Sequence, residues 1–367
     1  MLVTLDDTKT IHETGSVRTN KLIGTIIKEI NTIDTFTFNI YPDNSCYSDL
    51  KELTSLIKVY DDKEGLIFDG RVLTISPYMT DSGEIGKQVV CEGGLCFLKD
   101  SVPIIKQLKC TIRTYIATLL SAHNKSVESY KQIHIGNINC SQAQHIFNPG
   151  YEDTFSELTK NLISGEDIRG EMRVRIDKGI RFFDFTANEF SEVSNKTIQL
   201  GRNMRSITQA IDPSEIITRL YPLGAVINDD TGERVTLSGV TKYIDNDQLI
   251  ERYGVHAGTM IFDNITTPGV LSQAGRVCAG ALKAAKVQYE VSAIDIDEKL
   301  DGFAIGCKYR IVNSYLGIDE VLRCIGTSID INDRSQNVLT FGDKIATISG
   351  MTSRKQENRR NDYGKSN

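Results

Sequence analysis

Two stretches far apart in this chain read alike, and that echo limits the fold more than any other feature. Ile57-Lys58-Val59-Tyr60, then Gly65-Leu66, then Arg71-Val72-Leu73 can be laid on Tyr309-Arg310-Ile311-Val312, Gly317-Ile318 and Arg323-Cys324-Ile325. The same 252 residues separate Gly65 from Gly317 and Arg71 from Arg323. Each copy reads as strand, polar turn closing on Gly, strand, with Arg at the same place. The expectation is an internal duplication in which one chain carries two similar β units separated by other material. Three chains closing by cyclic symmetry would then present six similar units in a ring.

The surroundings of the first copy are β-rich. Phe36, Phe38 and Ile40 alternate with Thr35, Thr37 and Asn39, the pattern of a half-buried strand. Pro42-Asp43-Asn44 ends it. Lys87 to Glu92 reads as another strand, and Ser48 to Leu53 as a short helical turn. Short strands between turn signals suggest a small barrel or sandwich. From about 101 to 200 the period changes. Ile112, Tyr115, Ile116, Leu119 and Leu120 share one helix face. Thr154-Phe155-Ser156-Glu157 has the capping-box pattern, with Phe155, Leu158 and Leu162 as the apolar stripe and Gly165 as a C-cap. Strands at Met172–Ile176 and Ile180–Phe185 complete an α+β block.

After about 201, β structure returns with one helical insertion. Pro268 marks a helix start, and Leu271, Ala274, Cys278, Ala281, Leu282 and Ala285 form its expected buried face. Strands follow at Val287–Ile296, Ile305–Val312, Glu320–Ile329 and Asn337–Phe341. The fold class expected is mainly β with α+β insertions: two similar small β-barrels plus two α/β or α+β domains. The divisions drawn are 1–100 as a first barrel, 101–200 as an α+β domain, and 201–245 with 287–349 as a second barrel. Residues 246–286 form a helical insertion and 350–367 a polar, basic tail that orders, if at all, against a partner.

Motifs of chemistry are sparse. Ile11-His12-Glu13-Thr14 lacks the second His of a zinc protease, and no nucleophile elbow, phosphate loop or dinucleotide fingerprint occurs. Asp295-Ile296-Asp297-Glu298 lacks the spacing of a calcium loop. The eight Cys show no C-x-x-C pair and are expected as reduced, structural thiols. His134, Cys140 and His145 cluster loosely without metal spacing. No run is apolar enough to span a membrane. The N-terminus lacks signal-peptide character, so a soluble, cytoplasmically made chain is expected. A net charge of −6 argues against a dedicated nucleic-acid binder. No catalytic residue, cofactor or metal ligand is expected.

Four stretches together resemble the baseplate hub proteins of long-tailed phages and of phage-like contractile bacteriocins, including the prophage endopeptidase tail family. They are Leu56–Leu73 running into Val89–Leu95, Ile198–Ile207 leading to Glu215–Gly224, Tyr253-Gly254 with the helix after Pro268, and Phe303–Gly306 through Arg323 to Leu339-Thr340-Phe341-Gly342. The resemblance implies a hub fold like that of the T-even phages and a homotrimeric ring in the baseplate of a virion or tail-like particle. Its barrels would face a hexameric tail tube or distal tail protein. A central spike or fibre would dock below, and a tape-measure protein could also be a neighbour. Lytic activity in such proteins usually lies in further C-terminal domains, so the chain is expected to be the short, non-enzymatic hub type. A DNA conduit with a neutral or acidic lining would not hold phosphate.

Arg71 and Arg323, equivalent in the two copies, are candidates for inter-barrel or tube contacts, with exposed barrel-surface arginines as the plainer reading. Arg354, Arg359 and Arg360 in the tail are candidates for partner contacts. Two other functions compete with the hub. A tail-associated peptidoglycan hydrolase or endopeptidase would clear cell walls. A receptor- or carbohydrate-binding tail module would normally show Trp on its sugar platforms, and this sequence has none.

Overall fold

The computed structural model describes residues 1–15, 22–61, 65–148, 150–164, 168, 170–187, 193–212, 216–228, 230–282, 286–294 and 303–342. Contacts divide the chain into one unit of residues 1–208 and 289–342 and a second built on 209–288. The architecture is mainly β.

The chain opens with β1 (Leu2–Leu5), β2 (Lys9–Glu13), β3 (Ile23–Glu29), β4 (Thr35–Ile40), β5 (Leu56–Asp61), β6 (Gly65–Met79) and β7 (Ile85–Gly93). Alternation in β4 does what its sequence predicts: Phe36, Phe38 and Ile40 are buried while Thr35, Thr37 and Asn39 are half-buried. Phe36 packs on Phe38 and meets the edge of Phe68, with ring centroids 4.9 and 5.7 Å apart. Ile26, Val59, Val72 and Val89 join them in one core. Residues Ser48–Leu53, expected as a helical turn, form non-helical turns, with Leu53 at a positive φ of 61°.

The middle block holds β8 (Leu108–Thr111), α1 (Ile112–Ser126), β9 (His134–Asn139), β10 (Gln144–Phe147), α2 (Thr154–Leu158), β11 (Glu171–Asp177) and β12 (Ile180–Thr186). The predicted face of α1 is the buried one, with His123 added. Tyr115 stacks on Phe147 at 3.9 Å. His134 and His145 stand on different sheets. The cap of α2 differs from expectation by one residue. Asp153 is the N-cap, accepting from the Ser156 N–H at 3.0 Å, and Thr154 is the first helical residue. The Thr154 hydroxyl instead meets Ser101 Oγ at 2.7 Å, and Glu157 Oε1 accepts the Gly150 N–H at 2.6 Å. Gly165 lies outside the described residues.

Two strands, β13 (Val193–Gln199) and β14 (Met204–Asp212), lead towards the second unit. There follow β15 (Arg219–Leu223), β16 (Val226–Asn228), β17 (Glu233–Arg234), β18 (Ile244–Asp245), α3 (Asp247–Tyr253), β19 (Ala257–Ile261) and α4 (Pro268–Ala281). The stretch drawn from sequence as 246–286 thus supplies β19, which pairs with β15 in the three-stranded sheet β18-β15-β19. Helix α4 starts at Pro268 as predicted, but its buried stripe is Leu271, Gly275 and Ala279. Ala274, Cys278 and Leu282 are half-buried, Ala281 is exposed and Ala285 is not described. Close approach of the sheet turns the helix this way: a Cβ on Gly275 would sit 2.8 Å from Ile244 Cδ1 and 3.0 Å from Pro222 Cγ.

The chain then supplies β20 (Lys286–Ala293), β21 (Lys308–Asn313), β22 (Ile318–Asp330) and β23 (Val338–Gly342). The large sheet runs β14-β20-β23-β22-β3-β4-β7-β6-β5-β1-β2, with β21 on β22 and β13 on β21. Within it, β3-β4-β7-β6-β5 and β14-β20-β23-β22-β21 follow the same spatial plan. The echo reaches the register. Leu56, Ile57, Lys58 and Val59 face Arg71, Gly70, Asp69 and Phe68, while Lys308, Tyr309, Arg310 and Ile311 face Arg323, Leu322, Val321 and Glu320. Both long strands also bulge at the equivalent residue, Leu73 in β6 and Ile325 in β22. The path is open at β2 and β14, and no ring of strands closes among the described residues.

Candidate assembly surface

The two echoed arginines stand just before the bulges, and both turn inwards. Arg71 is buried; its Nε donates to Glu92 Oε1 at 2.8 Å and its Nη1 to Asp100 Oδ2 at 2.5 Å. Lys131 Nζ reaches the same Asp100 oxygen at 3.0 Å. Burial alone would disfavour the Arg71 cation, but the bonds it donates to Asp100 and Glu92 outweigh that and hold its pKa above the ordinary value. For Asp100, burial pushes up, and the bonds from Arg71 and Lys131 prevail to hold the carboxyl below the usual range. Arg71 also lies over the Phe97 ring, 5.5 Å from its centroid.

Arg323 makes a two-pronged pair with Glu171 at the start of β11, Nη1 to Oε1 at 2.7 Å and Nη2 to Oε2 at 2.6 Å. Its Nε donates to the Gly306 carbonyl. Arg181 on β12 closes a third link, Nε to Asp69 Oδ2 at 2.5 Å. The middle block is therefore tied to both hairpins, through Arg181 to the first and Glu171 to the second. Neither Arg71 nor Arg323 is an open surface arginine. Both guanidinium groups are engaged inside the chain, because each hairpin foot abuts a buried carboxylate. Arg354, Arg359 and Arg360 lie outside the described residues.

Beside the Arg323–Glu171 pair is a cavity of about 190 Å³ reached by Lys28, Asp34, Leu95, Met172 and Gly306. Burial pushes the Asp34 carboxyl up to about 6, against a smaller lowering by Lys28. Sequence reading singled out neither Asp34 nor Glu171. Their meeting with residues around 306–323 is made only by the tertiary fold, and neither sits in a local motif.

The outer features suit assembly through strands. Among the described residues the flank of β6 beyond its bulge is paired only to β7, from Thr74–Val90 to Met79–Ile85. Met79 is 72% exposed and Ile85 52%. Strands β2 and β14 are the ends of the sheet path. Edge strands can present main-chain donors and acceptors to another chain.

Comparison with known proteins finds this β-rich chain similar to phage-tail proteins. Residues 192–352 match the family model described as prophage endopeptidase tail, a span that contains the second strand set. The fold is shared with the 43 kDa tail protein of prophage MuSo2 from Shewanella oneidensis, at 13% identity and a TM-score of 0.61 over 93% of this chain and 96% of that one. It is shared too with a tail protein from Neisseria meningitidis MC58, at 12% identity and a TM-score of 0.58 over 94% and 96%. Prophage tail protein gp18 from Listeria monocytogenes EGD-e is similar at 13% identity and a TM-score of 0.53 over 91% and 92%. No protein with a curated description matches. The resemblance to tail-associated proteins read from the sequence is thus upheld.

Proposed function

We propose that this chain is a structural hub of a phage tail or phage-tail-like particle. Three copies form a ring in which two barrel-like strand sets per chain present six similar units to a hexameric tail tube, while the other face meets a three-fold spike or fibre. The observation that carries this reading is the shared register and shared bulge of the two hairpins. Two units of one design per chain are what a three-fold body needs to match a six-fold partner. The buried ion pairs at Arg71 and Arg323 serve as internal braces that hold each set at a fixed attitude to the middle block. No catalytic step is assigned to the chain, although the matching family's description includes the word endopeptidase.

The test is direct. Purified protein at micromolar concentration should have the mass of a trimer by light scattering, and images of the isolated ring should show pseudo-six-fold density on one face. A monomer that also fails to assemble on added tube protein overturns the reading. Clearing of Gram-positive cell walls in a zymogram would favour the hydrolase alternative.

A further inference from the structure

The turn between β3 and β4 is fixed to β11 by one side chain. Asn31, at a positive φ of 61°, donates from Nδ2 to the Gly170 carbonyl at 3.2 Å and accepts the Met172 N–H on Oδ1 at 2.8 Å. Three residues on, the Asp34 carbonyl accepts the Gly93 N–H at 2.7 Å. A Cβ on Gly93 would lie 2.8 Å from Asp34 Cβ, and one on Gly94 would lie 3.2 Å from Val174 Cγ1. The bare pair Gly93-Gly94 thus lets both Asp34 and β11 close in. The cavity of about 190 Å³ beside the Arg323–Glu171 pair is lined by these same pieces, with Leu95, Met172, Val174 and Ile305 as its apolar walls.

Asp34 is out of keeping with those walls. Among the described residues its carboxyl accepts no hydrogen bond and joins no ion pair. The charge of Lys28 favours the ionised form, and burial outweighs it. A carboxylate desolvated without a donor weakens the fold. A group that weakens the fold and braces nothing in it marks a place where something else is met. The other charges around the cavity are Lys28, Glu29, Glu171, Arg173 and Arg323. Arg323 and Glu171 hold each other, and Arg173 Nε lies 3.6 Å from Asp184 Oδ2. No group of three acidic, His or Cys side chains gathers for a metal ion among the described residues. The volume lies below the roughly 300–1,000 Å³ of pockets that take drug-sized molecules, so the occupant is small.

We propose that this cavity binds a primary alkylammonium group, its N–H donors on the Asp34 carboxylate and its carbon chain along Leu95, Met172 and Val174. The site goes beyond the hub reading; it lies within one chain and stands whether or not copies associate. The bound cation supplies the donors that the fold withholds from Asp34, so occupancy removes the penalty of a bare buried charge. A ligand held by the folded chain alone also raises its melting temperature. The same group is carried by a free amine and by a lysine side chain.

The experiment uses the full chain with n-butylammonium chloride, Nα-acetyl-lysine amide and, as the uncharged control, n-butanol. Against sodium chloride of equal ionic strength, an ammonium probe should raise the melting temperature near pH 7 to a plateau and shift the methyl resonances of Leu95 and Met172. Butanol should bind at least about tenfold more weakly. Ammonium binding should weaken about tenfold from pH 7 to pH 5, because the ionised carboxylate is the form that takes the cation. Asp34→Asn should melt no lower than wild type near pH 7, yet bind about tenfold or more weakly. Tighter binding of butylammonium names a free amine as the source, and tighter binding of the lysine amide a protein side chain; either upholds the site. No saturable shift with either ammonium probe, equal binding of butanol, or an Asp34→Asn variant that binds as wild type does overturns it and leaves the hub reading untouched. Should that variant fail to fold, the wild-type pH series decides: affinity unchanged between pH 7 and pH 5 overturns the site.

Discussion

Arg71 and Arg323 hold the same register position in two hairpins yet bond to different partners, Glu92 and Asp100 for the first and Glu171 for the second. The hairpins have kept their backbone plan while the braces around them have diverged. Removing one partner of a buried pair leaves an uncompensated charge, at a cost of about 3–5 kcal/mol. Arg71→Ala should lower stability by about that much, read as a lower denaturant midpoint at unchanged slope. Replacing Arg323 and Glu171 together by Met should cost far less than Arg323→Ala alone, and a double-mutant cycle measures the difference.

Gly65 and Gly317 close the two hairpin turns with positive φ, 74° and 67°. An added Cβ meets nothing within 4 Å at either place, so the penalty for Ala is one of backbone conformation. Gly65→Ala and Gly317→Ala should each destabilise by about 1–2 kcal/mol. The double variant should lose the sum, since the sites are independent. Chemical denaturation of the two single variants and the double variant checks this.

Asp34 gives a pH signature. Its carboxyl titrates near 6 when folded, above the ordinary value of 3.8. Between those values the folded chain holds more protons than the unfolded one, so this group's contribution to stability falls as pH rises from about 4 through 6. Above 6 the penalty is constant. Asp34→Asn should therefore stabilise the protein at pH 7, by up to about 2–3 kcal/mol, and the gain should vanish at pH 4. Melting curves of both proteins across that range test the sign.

The described structure leaves all eight cysteines as free thiols, with Cys46, Cys91, Cys96 and Cys324 buried. Burial pushes Cys324 up to about 12 and raises Cys91 well above the ordinary thiol value. Cys110, Cys140, Cys278 and Cys307 are less enclosed and should react first with a thiol reagent in the native protein. The other four should react only on the timescale of opening, a two-phase trace in a colorimetric titration.

Periodicity made much of the fold legible. The alternation in Thr35–Ile40 and the face of Ile112–Leu120 depend on local geometry, and both stand as the sequence predicts. The hairpin echo was visible for the same reason, since turn Gly and Arg keep fixed positions along a ladder. Errors of one residue arose where neighbours compete. Asp153 and Thr154 are both good caps; Asp153 takes that place, while the Thr154 hydroxyl meets Ser101. On α4 the apolar count favoured Ala274 and Cys278, but the approach of Pro222 and Ile244 selected Gly275. The partners of Arg71 and Arg323 were not legible. Glu171 is 152 residues from Arg323, and no local pattern announces such a pair.

The bulge at Ile325 also gives β22 a mechanical role. Its 13 residues run unbroken from one strand set into the other. A pull on either set therefore reaches the other through covalent backbone, and the ladder to β3 is loaded in shear, so its bonds resist together instead of opening one by one. The junction within the chain is in this sense a tendon, whereas a junction made by strands of separate chains can be assembled and released.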